Sequence, residues 1–326
     1  MFAAINSFLT GGSSEAKDPY WANVSMLLHG DGTNAAQNNT FLDGSTNNFT
    51  VTRNGNTTQG SFNPFVSTYP YSVATNGGSG YFDGTGDYLT VADNAAFTLG
   101  TNDFTIECWI NFSSFANSPY FLGNNPGATA AWYIQANTTG TILAQFYDSP
   151  AAIYPSITST LTASVNTWCH IAVVRNGATG RMYINGVQSG TVNFAALTIA
   201  NSTNVLGIGS GGSYTGALPT GYISNFRLVN GTCLYPSGTT FTPPTAPLTA
   251  VTNTALLLGM SNGAIYDNTM LNNLETVGNS QISTSTFKYG TGSMKFDGTG
   301  DYLLTPAKSI FNLGSANFTP KFYPAI

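Results

Sequence analysis

Phe82-Asp83-Gly84-Thr85-Gly86-Asp87-Tyr88-Leu89 recurs, residue for residue, as Phe296-Asp297-Gly298-Thr299-Gly300-Asp301-Tyr302-Leu303. An identical octapeptide at two places in one chain marks a repeated structural device. Asp and Gly accept the positive or bridge-region backbone angles of a tight turn. The aromatic residues on either side suit strands that fill a sandwich core. The stretch therefore predicts strand, tight turn, strand, twice over.

The repeat extends outward. Upstream, Gly77-Gly78-Ser79-Gly80 corresponds to Gly290-Thr291-Gly292-Ser293; downstream, Phe97-Thr98-Leu99-Gly100 corresponds to Phe311-Asn312-Leu313-Gly314. Further back, Met26-Leu27-Leu28 followed by Asp43 and Gly55-Asn56 echoes Leu256-Leu257-Leu258 followed by Asp267 and Gly278-Asn279. One whole unit is thus followed by the opening of a second. In the second, Asn317-Phe318-Thr319-Pro320-Lys321 replaces Asp103-Phe104-Thr105-Ile106-Glu107. Pro320 removes a ladder donor, so the strand there is expected to be shortened or pushed to an edge. A partial sandwich leaves an open edge and an uncovered apolar face. Obligate assembly follows as an expectation, with the first domain, a second copy or another protein as the cover; packing wholly within the chain is the alternative.

Charged residues make up 7% of the chain, against roughly 25% in ordinary soluble proteins. Asn, Thr, Ser and Gly carry the polarity instead. A net charge of −5 argues against a nucleic-acid partner, which needs clustered Lys and Arg. Apolar runs such as Ala255-Leu256-Leu257-Leu258 are too short to cross a bilayer, so no membrane partner is expected. No basic region precedes the first apolar residues, so no signal peptide is expected, and synthesis in a reducing cytoplasm follows. Cys108, Cys169 and Cys233 lack metal-like spacing, and the first two are expected as small buried hydrophobes.

From Tyr20 onward, short apolar or alternating runs are punctuated by Asn, Gly, Ser and Pro, which predicts an all-β sandwich or barrel. Strands are expected at 24–29, 49–53, 79–83, 87–91, 103–112, 131–136, 142–147, 168–175, 180–185, 204–209 and 221–229. Asn176-Gly177 and Asn185-Gly186 are hairpin turns. Residues 1–19 form a separate segment, helical or extended. Phe2, Ile5, Phe8 and Leu9 fall on one side of a short helix that Gly11-Gly12 would end, and serve as candidate docking residues. The main domain is expected over 20–242, a stiff Pro-rich linker over 243–250, and the partial repeat over 251–326.

Two stretches carry a family resemblance. Trp168-Cys169-His170-Ile171-Ala172-Val173-Val174-Arg175 with Met182-Tyr183-Ile184-Asn185-Gly186 resembles a hairpin of laminin-G-like and concanavalin A-like jelly rolls. Phe82 to Leu89 followed by Phe104-Thr105-Ile106-Glu107-Cys108-Trp109-Ile110 resembles that family's opening strands, and Gly221-Tyr222-Ile223-Ser224-Asn225-Phe226-Arg227-Leu228 its closing strand. The resemblance spans roughly residues 21–245. A narrower one, carried by Phe41-Leu42-Asp43-Gly44-Ser45-Thr46-Asn47-Asn48-Phe49-Thr50 and Phe241-Thr242-Pro243-Pro244-Thr245-Ala246-Pro247-Leu248, is to modules of tailed-phage virion proteins. It implies a concanavalin A-like jelly-roll β-sandwich located in a virion, as a fibre, appendage or capsid-decoration subunit. Expected partners are other phage virion proteins, further copies of the chain and host-surface polysaccharide. Glycan recognition by an adhesin module is the alternative.

The fold also hosts glycosidases, which need two carboxylates flanking the sugar bond. The glucanase version of the family places them on a Glu-x-Asp-x-x-Glu strand. Here Glu15, Glu107 and Glu275 are scattered, and no second carboxylate alternates with Glu107. A non-enzymatic protein is expected. Laminin-G-like jelly rolls often hold calcium, and Asp31, Asp43 and Asn47 in oxygen-rich loops are candidate ligands; Asx-turns explain the same residues without an ion. Glycan contact would rest on aromatic platforms at loop tips, with Tyr120, Trp132, Tyr147, Tyr154 and Tyr214 as candidates.

Overall fold

The structure, a computed structural model, describes residues 23–30, 32–65, 71–124, 131–213, 215–287, 291–312, 314–315 and 318–320. The docking candidates Phe2, Ile5, Phe8 and Leu9, the candidate ligand Asp31 and the candidate platform Tyr214 lie outside the described residues. The chain divides into two compact units. The larger combines Phe41–Thr57 with Ser79–Met260; the smaller draws on Met1–Thr40, Thr58–Gly78 and Ser261–Ile326.

The larger unit is a sandwich of two antiparallel sheets. Its strands begin with β1 (Val51–Asn54), β2 (Ser79–Asp83), β3 (Tyr88–Val91), β4 (Phe104–Ser114) and β5 (Tyr120–Gly123). They continue with β6 (Trp132–Ala136), β7 (Thr141–Phe146), β8 (Ser156–Thr162), β9 (Cys169–Asn176) and β10 (Thr179–Ile184). The last four are β11 (Val187–Asn193), β12 (Leu206–Ile208), β13 (Thr220–Asn230) and β14 (Thr254–Leu258). One sheet has seven strands in the order β8-β7-β6-β5-β12-β3-β1. The other runs β11-β10-β9-β4-β13-β2, and β14 also pairs with β13.

Period-two alternation decides what faces inward. In β4, Phe104, Ile106, Cys108, Ile110 and Phe112 enter the core; in β6, Trp132, Ile134 and Ala136 do the same from the opposite sheet. Phe146 and Phe194 meet edge to face with centroids 5.1 Å apart, and Phe104 lies 5.7 Å from Phe146. Cys108 and Cys169 are free and buried. Burial lifts the Cys169 thiol up to about 12 and holds the Cys108 thiol well above its ordinary value. The β10–β11 turn has Asn185 at φ 50° and Gly186 at φ 75°, the positive angles that a two-residue hairpin requires.

β13 is interrupted by Asn225, fully buried with φ 52°. A register shift lies between Ser224 and Arg227. On one edge of β13, Thr220–Ile223 pairs with β2 and Phe226–Val229 with β14. Two stretches that follow β13 complete this unit. The Pro-rich 243–250 stretch is pinned to the sheet rather than spacing two domains: Leu248 N–H donates to Asn225 Oδ1 at 2.7 Å, and Arg227 donates to the Thr249 carbonyl at 2.8 Å. And β14, expected in the partial repeat, is part of the larger unit, because β13 needs a partner along its second half. Strands β5, β8 and β11 were not foreseen; the alternation in β8 is carried by Ser and Thr rather than by apolar residues.

In the smaller unit, Leu28–His29 pairs with Tyr266–Asp267, Glu275–Val277 with Tyr302–Leu304, and Gln281–Ser283 with Ser293–Lys295. Phe318-Thr319-Pro320 forms no strand. The two octapeptides fold alike. Asp87 accepts the N–H groups of Asn56 at 2.7 Å and Asp83 at 3.1 Å; Asp301 accepts those of Asn279 at 2.7 Å and Asp297 at 2.8 Å. Gly84 and Gly86 have φ of 86° and 77°, Gly298 and Gly300 of 85° and 74°. Their surroundings differ. Phe82 is 0% exposed and Phe296 is 48%; Phe104 is 0% exposed and Phe318 is 62%. Burial first, then the charge of Asp83, lifts Asp87 up to about 6.

The same residue in the same turn should therefore carry different weight. Phe82→Ala is expected to cost about 3–5 kcal/mol, and Phe296→Ala less than about 0.5 kcal/mol. Urea-unfolding midpoints of the two variants measure the difference.

Candidate functional site

The two outer faces of the sandwich have different fates. After β13, residues 232–249 cross the outside of the β4-β9-β10-β13 sheet. Asn176 and Arg181 donate to the Pro236 carbonyl, Tyr183 Oη to Gly238, and Gln188 N–H to Thr239. Phe241 stacks on Tyr235 with centroids 3.8 Å apart and packs edge-on against Tyr183. That face is closed.

Beneath this strap lies a buried ionic cluster. Glu107 Oε1 accepts two bonds from Arg227, at 2.9 and 2.6 Å. Its Oε2 accepts from His170 Nε2 at 3.2 Å and Tyr235 Oη at 2.8 Å. Burial alone would raise the Glu107 carboxyl. The His170 hydrogen bond, the Arg227 charge and the Tyr235 hydroxyl outweigh it and hold the group below the ordinary carboxylate range. Tyr235 is pushed up in turn, by burial and then by the Glu107 charge. Both Glu107 oxygens are committed to these partners, so the residue that a glycosidase reading would need is consumed in cross-linking β4, β9 and β13.

The outer face of the seven-stranded sheet is built differently. Strands β5 to β8 contain no charged residue. Tyr120, Tyr133, Gln135, Leu143 and Gln145 alternate with core residues and are half-buried, while Ser156 and Thr158 are exposed. Register places Tyr120 beside Gln135, Tyr133 beside Gln145, and Gln145 beside Ser156. Tyr133 meets Tyr120 edge-on at 5.1 Å and donates to Gln145 Oε1 at 2.8 Å. Burial, reinforced by Tyr120, raises the Tyr133 hydroxyl, so it is a neutral donor at physiological pH. Gln135 Oε1 is itself buried and has no hydrogen-bond partner.

A loop extends this surface. Tyr147 and Tyr154 lie 5.1 Å apart with planes inclined by 33°, and Tyr154 is 47% exposed. Together with Tyr133 and Gln145 they line a dent of about 10 Å³. Asp148, buried between the two tyrosines in sequence, fixes the loop by accepting the N–H groups of Thr198 at 2.7 Å and Ala151 at 3.3 Å. A larger depression of about 900 Å³ lies along Thr46, Asn47, Asn230 and Val251–Ala255. It has no aromatic wall. The tyrosine face is the better candidate, because flat rings supply both the apolar area and the hydroxyls that a polyhydroxylated ring can use.

Of the sequence-predicted platforms, the structure brings Tyr120, Tyr147 and Tyr154 to this face. Trp132 is corrected: it is 1% exposed and points into the core, since its neighbour Tyr133 takes the outward position in the alternation. Tyr133, Gln135 and Gln145 were missed; the period-two pattern of β6 and β7 was the available signal.

The candidate calcium ligands Asp43 and Asn47 are otherwise engaged. Asp43 Oδ1 accepts from Ser45 N at 2.8 Å and Leu257 N at 3.1 Å, and Oδ2 from Ser45 Oγ at 2.8 Å and Phe49 N at 2.9 Å. Asn47 donates to the Ala255 carbonyl at 2.8 Å. Four donors point hydrogens at the carboxylate, the opposite of what a cation needs. These two residues do not fit a calcium ion; they clasp β14. Among the described residues, no group of three His, Cys, Asp or Glu side chains is placed to hold a metal.

The β-sandwich thus has one strapped face and one face of uncharged strands that turns tyrosines outward. Residues 83–234 match Laminin_G_3, described as the concanavalin A-like lectin/glucanases superfamily. No curated protein sequence matches the chain. Among solved structures, it is similar to the binding domain of Paraclostridial Mosquitocidal Protein 1 (20% identity, TM-score 0.41, 57% of this chain and 48% of that one). It is similar to the botulinum neurotoxin serotype D binding domain (16%, 0.40, 60% and 49%). A third is domain 4 of AbnA, an extracellular arabinanase from Geobacillus stearothermophilus, in complex with arabinotriose (13%, 0.41, 60% and 93%). The similarity takes in about half the length of each toxin chain.

The ionic cluster has a pH signature. Because the folded Glu107 carboxyl sits below its unfolded value of about 4.3, its contribution is complete above that pH and is lost as pH falls through the folded value. Glu107→Gln is expected to lower stability at pH 7 by about 3 kcal/mol, since Arg227 is left buried without its counter-charge. The variant should also unfold with a shallower stability-versus-pH slope below about pH 4.3. Denaturant titrations at pH 7 and along an acid series check both.

Proposed function

We propose that this chain is a non-enzymatic structural protein of a phage particle, a fibre, appendage or capsid-decoration subunit, whose jelly roll holds neutral glycans on its tyrosine face. The observation that carries the glycan reading is the sheet surface formed by Tyr120, Tyr133, Gln135 and Gln145, on strands without a charged residue, and extended by Tyr147 and Tyr154 of the adjoining loop. Sugars bind through stacking of their apolar ring faces and hydrogen bonds to amides and hydroxyls, and this surface supplies both. Absence of charge selects against sulfated or phosphorylated chains. A flat sheet surface suits an extended segment rather than a chain end.

The virion reading is supported by the Asn- and Thr-rich repeat motifs, by the low charge, and by exposed apolar residues of the smaller unit, including Phe296, Tyr302, Leu304 and Phe318. Glu107 takes no part in chemistry under this proposal, because both of its oxygens are occupied.

On an array of neutral and anionic polysaccharides, the chain is expected to retain neutral ones. Tyr133→Ala and Tyr154→Ala should each weaken binding by about tenfold, and Gln145→Ala by less. Failure to bind neutral glycans, or binding unchanged in both tyrosine variants, overturns the glycan reading. Deleting residues 1–19 tests the structural role separately: the domain should stay folded while incorporation into particles is lost.

A further inference from the structure

The two units are closed by the same clasp, and each clasp holds the leucine strand that precedes the other's aspartate in sequence. In the larger unit, Leu257 N–H donates to Asp43 Oδ1 at 3.1 Å, Gly44 N–H to the Leu257 carbonyl at 2.7 Å, and Asn47 Nδ2 to the Ala255 carbonyl at 2.8 Å. In the smaller, Leu27 N–H donates to Asp267 Oδ1 at 2.8 Å, Asn268 N–H to the Leu27 carbonyl at 2.7 Å, and Asn272 Nδ2 to the Ser25 carbonyl at 3.1 Å. The aspartates are preset alike. Ser45 donates N–H and Oγ–H to Asp43, and Thr269 donates N–H and Oγ1–H to Asp267, at 3.0 and 2.6 Å. Yet Asp43 follows Met26-Leu27-Leu28, and Asp267 follows Leu256-Leu257-Leu258.

Such a clasp recognises a strand by its backbone and register, not by its place in the chain. The two instances differ in completeness. Leu256, Leu257 and Leu258 are buried, and β14 also pairs with β13. Leu27 and Leu28 are only half-buried, and the paired stretch is two residues long. The same unit leaves Phe296, Tyr302, Leu304 and Phe318 exposed.

We propose that the Asp267 clasp is a joint between copies of this chain, in which residues 25–29 of one copy seat on the Asp267 loop of a second, head to tail. The intermolecular joint makes the same bonds as the intramolecular one, which is the condition under which exchange of an element costs little. The occupant is a second copy because the strand that fits the loop is already in this sequence. The joint stands whether or not the tyrosine face binds glycan.

His29 and Tyr266 are paired in register across the joint. In the full chain carrying Cys233→Ser, His29→Cys in one preparation and Tyr266→Cys in another are mixed and oxidised. A disulfide-linked heterodimer on a non-reducing gel, absent when either variant is oxidised alone, is the expected result. Light scattering of the unsubstituted chain should show mass rising with concentration, and Asp267→Ala should weaken that association by about tenfold or more. Mixed variants that give no heterodimer, while a single chain carrying both cysteines closes fully on itself, overturn the proposal. If either cysteine variant loses its β-sheet circular dichroism, light scattering decides, and a one-chain mass at every concentration overturns it.

Discussion

Everything in the larger unit depends on both edges of one strand being satisfied. β13 is 11 residues long and sits in the interior of its sheet. Its backbone donors and acceptors are away from water and must all be paired. β4 satisfies one edge along its length, but no single strand covers the other. The bulge at Asn225 divides that edge between β2, which leads into the repeated turn, and β14, which arrives from beyond the Pro-rich stretch. The jelly roll is therefore closed by a segment far along the chain from its first strands.

The bulge has a chemical consequence as well. Arg227 follows it, buried on the outer side of the sheet, and a buried guanidinium needs a carboxylate and carbonyls. Glu107 supplies the first and Thr249 the second. The 232–249 strap that carries Thr249, Tyr235 and Phe241 is consequently laid over this face. Closure of one face is what leaves the other available. The strap is held by the polar groups of β4, β9, β10 and β13, while the seven-stranded sheet turns neutral tyrosines and glutamines outward.

The smaller unit shows the same local sequence in different surroundings. The second octapeptide makes the same turn with the same aspartate hydrogen bonds, because those contacts lie within about twenty residues. Its phenylalanine is nevertheless exposed, because the sheet that buries Phe82 has no counterpart among the described residues around Phe296. Local hydrogen bonds make the turn; distant strands make the core.

The all-β class, the repeated turn and the hairpin at Asn185-Gly186 were legible in the sequence. Each rests on period-two alternation or on turn chemistry within a few residues. So were three of the surface tyrosines, which border polar loops. The rest was decided by partners far apart in the chain. Trp132 and Tyr133 are adjacent and both aromatic, and only the sheet's two sides assign one to the core and the other to the outer face. Glu107, His170, Arg227 and Tyr235 are scattered over more than a hundred residues, and only the strand register of β4, β9 and β13 with the strap joins them. Asp43 and Asn47 sit in oxygen-rich loops that suit an ion or an Asx-turn, and only the fold brings β14 onto them. The sequence by itself determined the strands and turns, because those energies are local; which strand closes which unit was settled only by tertiary structure, because backbone pairing accepts any strand of the right register.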